Sequence, residues 1–390
     1  MEGWRCAHFD AVPIHICPRR LVLTSRTSHS DDLLLRGSQL LATSVQQGVT
    51  HIRGFVEIDH VTGDMCLEAG VSLKERFENL CYLQIVAFAQ DPIFSTEHGD
   101  ENRLGLEHAL SGPYGGQIDV LGTTPYVEKS YELGLTNVDW AIRTAIQHGK
   151  HLDFHLDYNV SKESKAMVRD VIKLLKKHNW VETAEGKTVV LGHCTRMTLF
   201  SDEEMQTLAT EIHKARLPIS FVGLPTSDLF MMGRPEHAWG GSRQRGTLQV
   251  LEMVKKFGLN ACIGVNNVGN AFTPWGSGDP LALASLGVGM YQAGTEQDAN
   301  LLFEMISTRA RRAIGLAQSR DDQDVTGTIE KGRTGPLLVI ANEDTINCVG
   351  LDEPVPARQR TSIRDLVWDT PTKRMVVIPS EGLGRDFLHH

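Results

Sequence analysis

The chain has 390 residues, 41% of them hydrophobic, with 39 basic against 48 acidic side chains for a formal charge of −9. That length suits one large barrel-sized unit with a small appendage better than two or three small domains. Neither sign of charge gathers into a block, which argues against a nucleic-acid or membrane-surface binder and leaves a small molecule as the expected partner, with homo-oligomer formation open.

Seven cysteines are scattered along the chain and never form a CxxC pair, so neither a disulfide framework nor a thiolate metal site is signalled. No basic segment followed by an apolar stretch opens the sequence, and no apolar run reaches the ~18 residues of a membrane span. A reducing, cytoplasmic setting is expected.

Residues 1–40 carry little period because Pro13, Pro18 and several Ser and Thr interrupt it. They read as an irregular segment, or as a replaced or truncated first strand, with Val12 to Ile16 as the one apolar patch and a candidate strand. From 41 to 316, short β-branched runs alternate with longer amphipathic stretches, the pattern of repeated βα units on a parallel sheet. The predicted strands are Val49–Val56, Leu83–Phe88, Ile118–Gly122, Leu152–Leu156, Thr188–Leu191, Ile219–Leu224 and Ala261–Val265. Between them, Val168, Val171, Ile172 and Leu175 mark one helical face, and Ser201 with Glu204 forms a capping box ahead of Met205, Leu208, Ala209 and Ile212. Residues 317–390 turn to Asp, Gly and Pro with short apolar runs at Leu337–Ile340, Ile363–Val367 and Met375–Ile378, which read as a small β appendage.

In parallel barrels chemistry sits just past the C-terminal strand ends. The strings found there are Thr50-His51-Ile52-Arg53-Gly54-Phe55-Val56-Glu57, Leu83-Gln84-Ile85-Val86-Ala87-Phe88-Ala89-Gln90-Asp91, Asp153-Phe154-His155-Leu156-Asp157-Tyr158, Gly192-His193-Cys194-Thr195 and Gly264-Val265-Asn266-Asn267. In this order and spacing they resemble cytosine deaminase and its amidohydrolase relatives, including a fungal group of cytosine deaminase-like proteins. The resemblance spans roughly residues 40–316. It implies an α/β fold, a distorted TIM (β/α)8 barrel, with a small β sandwich whose return strand resembles Gly327 to Gly332 followed by Leu337–Ile340.

The family binds one divalent ion, zinc or iron, through a His-x-His pair on the first strand, a histidine on each of strands five and six, and an aspartate on strand eight. Here His155 and His193 match the strand-five and strand-six residues, Asn266 stands at the aspartate position, and no His-x-His occurs. His8 and His15, seven apart, cannot supply that pair from one strand. Two imidazoles alone make a metal site weak or absent, since a catalytic zinc takes three protein ligands plus water. The family's proton-shuttling glutamate falls on Tyr158, ordinarily a donor or weak acid at neutral pH.

Gln90 matches a residue that pairs with the amide edge of a base in the family. Asp91 and Asn267 join it as expected substrate contacts, and Phe55, Phe272 and Trp275 form an expected aromatic wall. Asp157, Asp228 and Asp279 are the carboxylates best placed to act as a replacement base. Trp239-Gly240-Gly241-Ser242 reads as a loop over the mouth. Taken alone, a strand-end histidine is ordinarily a hydrogen-bonded structural residue, and that is the reading for His51 and His151.

The expected function is hydrolysis of a C–N bond in a small heterocyclic or amide substrate, for which a tailoring step in specialised metabolism is one setting. The alternatives are a metal-free acid–base enzyme and a non-catalytic binding protein on the same barrel.

Overall fold

The computed structural model describes the backbone of residues 13–16 and residues 29–233, 244–270, 273–316 and 337–377. Eight strands follow one another in chain order in a single sheet: β1 Pro13–Ile16, β2 His51–Glu57, β3 Tyr82–Ala89, β4 Ile118–Thr123, β5 His151–Leu156, β6 Val189–His193, β7 Ile219–Gly223 and β8 Ala261–Ile263. Every neighbouring pair is parallel. Helices covering the outer face leave the strands buried on both sides, so they read as near-continuous apolar runs; in β3 every residue after Tyr82 is buried.

All seven predicted strands are present, shifted by one or two residues at their ends. The opening segment adds an eighth. Pro13–Ile16 pairs with Arg53–Val56, so the first strand of the sheet is in place, with His15 opposite Phe55 in the register.

Side chains reaching across the concave face show that the sheet curls. Arg53 of β2 and Asp153 of β5 are three strands apart, yet Arg53 Nη1 lies 2.7 Å from Asp153 Oδ2. Arg53 Nε donates to Gln84 Oε1 on β3 at 2.9 Å. Gln84 Nε2 in turn donates to the Ile314 carbonyl at 2.9 Å, and Thr188 Oγ1, just before β6, donates to the Ala313 carbonyl at 3.0 Å. The turn at 313–315 therefore closes the N-terminal end of the barrel. Above this polar layer, Phe55, Val86, Phe88 and Val120 form a fully buried apolar layer inside the sheet.

His51 and His151 belong to that closed end. His51 Nδ1 is 2.7 Å from Thr50 Oγ1, and the Thr188 amide donates to His151 Nδ1 at 2.9 Å. Burial pushes their imidazoles down, to about 4 for His51 and about 3 for His151. Both are structural, as expected.

The helix Val168–Lys177 buries Val168, Val171, Ile172 and Leu175, and the capping box at Ser201 and Glu204 is formed. Near the C-terminus, β9 (Leu337–Ile340), β10 (Thr345–Ile346), β11 (Val355–Pro356) and β12 (Arg374–Val377) make two antiparallel pairs, β9 with β12 and β10 with β11. One expectation fails there. Ile363–Trp368 is a helix and not a strand, because the Ser362 hydroxyl accepts from the Asp365 amide at its start. That helix packs on Pro280–Met290 and Glu296–Met305 and buries Val367 completely. Gly327 to Gly332 lies outside the described residues.

Because Arg53 and Asp153 are both out of water, deleting one partner strands the other charge. Asp153→Ala is expected to destabilise the protein by ~3–5 kcal/mol in urea unfolding, whereas the double replacement Arg53→Met with Asp153→Leu recovers most of that loss. A single variant as stable as the wild type would refute the ion pair.

Candidate active site

The C-terminal ends of β5, β6 and β8 share an uncommon backbone feature. Each is followed by, or ends on, a non-glycine residue in the left-handed region: Asp157 at φ 50°, His193 at φ 63° and Asn266 at φ 65°. Cys194, at φ 46°, makes the turn after β6 a left-handed pair. By register Gly192, not His193, lies beside His155, so His193 would fall on the outer face of a regular strand. The left-handed turn is the local departure that accompanies its place inside the mouth.

There the two imidazoles meet edge to face with centroids 5.1 Å apart. His155 rests on Phe55 and Phe88, at 5.2 and 4.8 Å, and the Tyr158 ring lies 4.1 Å from that of His193. Both histidines are buried. Burial, with His193 alongside, holds His155 well below its ordinary value, and burial pushes His193 down to about 3. At neutral pH both rings are therefore uncharged.

A short helix, Pro225–Met231, follows β7 and ties the remaining groups together. Its Asp228 places Oδ1 at 2.9 Å from His193 Nδ1, and its Oδ2 accepts from Thr247 Oγ1 at 2.8 Å. The Ser227 carbonyl accepts from the Tyr158 hydroxyl at 3.3 Å, and Ser227 Oγ accepts from Asn266 Nδ2 at 2.6 Å. His155, His193, Tyr158 and Asn266 thus converge at one end of the barrel. Ser227 and Thr247 went unnoticed in the sequence; the only signal was a polar Thr226-Ser227-Asp228 run directly after a strand.

No protein-family model matches the chain. The N-isopropylammelide isopropyl amidohydrolase of Pseudomonas sp. (strain ADP) is 22% identical over 301 residues, which cover 76% of this chain and 64% of that protein, so the chain spans less than two thirds of the relative's length. The crystal structure of Klebsiella pneumoniae 5-methylcytosine deaminase liganded with 5-fluorocytosine superposes with TM-score 0.64 at 20% identity, over 77% of this chain and 66% of that one. N-isopropylammelide isopropylaminohydrolase from Burkholderia multivorans gives 0.58 at 19% identity, over 79% and 75%. The chain shares the fold of these two solved structures. The family resemblance read from the strand-end strings is borne out by these neighbours, and the curled parallel sheet is the distorted barrel it implied.

On this barrel the other expected site residues separate. Asp157 is engaged elsewhere: its carboxylate accepts from the amides of Met167 and Val168 at 2.8 to 3.1 Å and so pins the start of the helix after β5. Burial, only partly offset by those amides, pushes it up to about 6. Asp279 is likewise structural, accepting from the Leu281 amide at 3.0 Å and from Arg374 Nη1 at 2.9 Å. Neither stands free as a replacement base. Gln90 and Asp91 are half-buried just past β3, where the Gln90 carbonyl accepts from Thr124 Oγ1 at 2.8 Å. Asn267 is buried and accepts from Asn270 Nδ2. Phe55 supplies floor under His155 and no side wall, while Trp275 is 43% exposed and does not complete one. Phe272, His8 and the loop at Trp239 to Ser242 lie outside the described residues.

Glu128 is a further residue that the sequence did not reveal. Its carboxylate accepts from the amides of Ile93, Phe94 and Ser95 at 2.9 to 3.2 Å and from Asn137 Nδ2 at 3.0 Å, which fixes the loop leaving β3.

The donor chemistry fits a catalytic ion poorly. His155 and His193 supply nitrogens and Asn266 a neutral amide, and no group of three or more His, Cys, Asp or Glu able to hold a metal occurs among the described residues.

Since both imidazoles are held neutral by burial, their ring-proton resonances should stay fixed from pH 8 to pH 5. An NMR titration in which either signal moves with a midpoint near ~6.5 would contradict this environment.

Proposed function

We propose that this protein hydrolyses a C–N bond of a small, neutral nitrogen heterocycle, with His193 and His155 as its proton-transfer groups. The observation that carries the reading is the pair of buried, uncharged imidazoles 5.1 Å apart at the barrel mouth, a place where such folds concentrate their chemistry. The names of the relatives, amidohydrolases of N-isopropylammelide and a 5-methylcytosine deaminase, support the same bond and the same class of ring.

In this mechanism one imidazole takes a proton from water as the oxygen attacks the ring carbon bearing the exocyclic nitrogen. That proton then passes to the departing amine or ammonia, so the C–O bond forms, the C–N bond breaks and charge balances without a redox partner. Charge developing on the heterocycle in the tetrahedral state requires a donor, for which the Asn266 amide beside Ser227 Oγ is the candidate; the single hydroxyl hydrogen of Tyr158 goes to the Ser227 carbonyl. Phe55 and Phe88, edge to face with each other and fully buried, support the His155 ring from beneath. A role in specialised metabolism fits the reading but has no residue behind it.

Release of ammonia or alkylamine from a panel of aminopyrimidines and N-alkylated hydroxytriazines tests the proposal, run alongside elemental analysis of the same sample. Turnover is expected to drop at least ~10²-fold in His193→Ala, the scale of a lost general acid–base group. Insensitivity of any observed turnover to both His155→Ala and His193→Ala would reject it, and binding of such rings without turnover would favour the non-catalytic alternative.

A further inference from the structure

We propose that Asp228 is a positioning residue, holding His193 as the tautomer with its hydrogen on Nδ1 and so making Nε2 the basic nitrogen. The use of that nitrogen in catalysis rests on the hydrolase reading; the tautomer itself does not. Asp228 is fully buried, and both of its oxygens have side-chain partners. Oδ1 faces His193 Nδ1 at 2.9 Å, and Oδ2 accepts from the Thr247 hydroxyl at 2.8 Å.

A neutral imidazole donates through one nitrogen and accepts through the other, while a carboxylate only accepts. Burial pushes the Asp228 carboxyl well above its ordinary value, opposed by the Thr247 hydroxyl and a backbone contact at Leu224, and it is taken here as the anion that these contacts hold. The contact at Nδ1 therefore places the hydrogen there. The ring is packed, with Tyr158 4.1 Å away on one side and His155 5.1 Å away edge-on, and turning it over in place would set a carbon against Asp228 Oδ1 and lose the Nδ1 contact. The left-handed backbone at His193 fixes where the ring leaves the chain. Two other groups face the same carboxylate, Tyr126 after β4 and Tyr291 at the end of the helix Pro280–Met290, and both phenols are pushed up by burial first and by Asp228 second. They stay protonated and add no competing charge. With both oxygens committed, Asp228 is placed to orient His193 and not to take a proton from water itself.

The substitution Asp228→Asn discriminates sharply. An amide has one accepting and one donating end; the Thr247 hydroxyl claims the oxygen, the NH2 turns toward Nδ1, and the imidazole hydrogen must move to Nε2. Long-range ¹H–¹⁵N correlation spectra of histidine-labelled protein at pH 7, with His193 assigned through His193→Gln, read the two nitrogens directly. The wild type is expected to show a protonated Nδ1 and a bare Nε2, and Asp228→Asn the reverse. In Thr247→Val the hydrogen stays on Nδ1, because the carboxylate can still only accept. A wild-type spectrum with the hydrogen on Nε2 or averaged over both nitrogens overturns the proposal, as does an Asp228→Asn spectrum identical to wild type. If Asp228→Asn fails to fold, the wild-type and Thr247→Val spectra still decide. No substrate enters the measurement, so failure of the hydrolase reading leaves this outcome legible.

Discussion

Exclusion of water from the barrel interior is the constraint on which the rest of this molecule depends. An ionised side chain there must be paired, or it must give up its charge. The closed end takes the first course: Arg53 and Asp153 meet at 2.7 Å, with Gln84 and the Ile314 carbonyl extending the network. The open end takes the second course at its histidines, where His155 and His193 are driven to their neutral forms. Between the two lies a fully apolar layer of Phe55, Val86, Phe88 and Val120, which separates the polar ends.

Placing polar groups at the mouth has a backbone cost. Asp157, His193, Cys194 and Asn266 all adopt left-handed φ, a conformation that costs a non-glycine residue about 1 kcal/mol or more. Glycine would relieve this at any of them, yet the positions hold side chains with specific partners: Asp157 anchors a helix, His193 meets Asp228, and Asn266 meets Ser227. Strain kept at three strand ends of one barrel face is the pattern expected when side-chain placement outweighs local backbone preference.

The sequence disclosed the architecture well and the site in part, for physical reasons that differ. Strands buried on both faces leave long apolar runs between turn signals, so β2 to β8 were legible to within one or two residues. Pro13 and Pro18 left β1 marked only by the short apolar patch Val12 to Ile16, since proline interrupts the pattern of a strand even where an edge position tolerates it. Ile363–Val367 looked like strand because five residues are too few to separate periods of 2 and 3.6; the Ser362 cap decided for helix. His155, His193, Tyr158 and Asn266 were readable because each lies at a strand end. The partners of Asp157 and Asp279 were not, because hydrogen bonds to backbone amides ten residues away, or to Arg374 ninety-five residues away, leave no trace in local spacing.

Asn266 and Tyr158, standing where the resemblance implies carboxylates, have a consistent electrostatic sense. An aspartate at position 266 would sit buried beside Ser227, which is adjacent in the chain to the buried Asp228. Two like charges in that space raise each other's proton affinity, and without a cation between them at least one would be neutral in any case. An asparagine keeps the shape, keeps a donor for Ser227 Oγ at 2.6 Å, and leaves Asp228 as the one carboxylate aimed at His193. Tyr158 does the same against the Ser227 carbonyl, adding a ring that packs on His193 where a glutamate would add charge. On the proposed function, a site whose two imidazoles are uncharged admits a neutral heterocycle at a lower desolvation cost than a charged one.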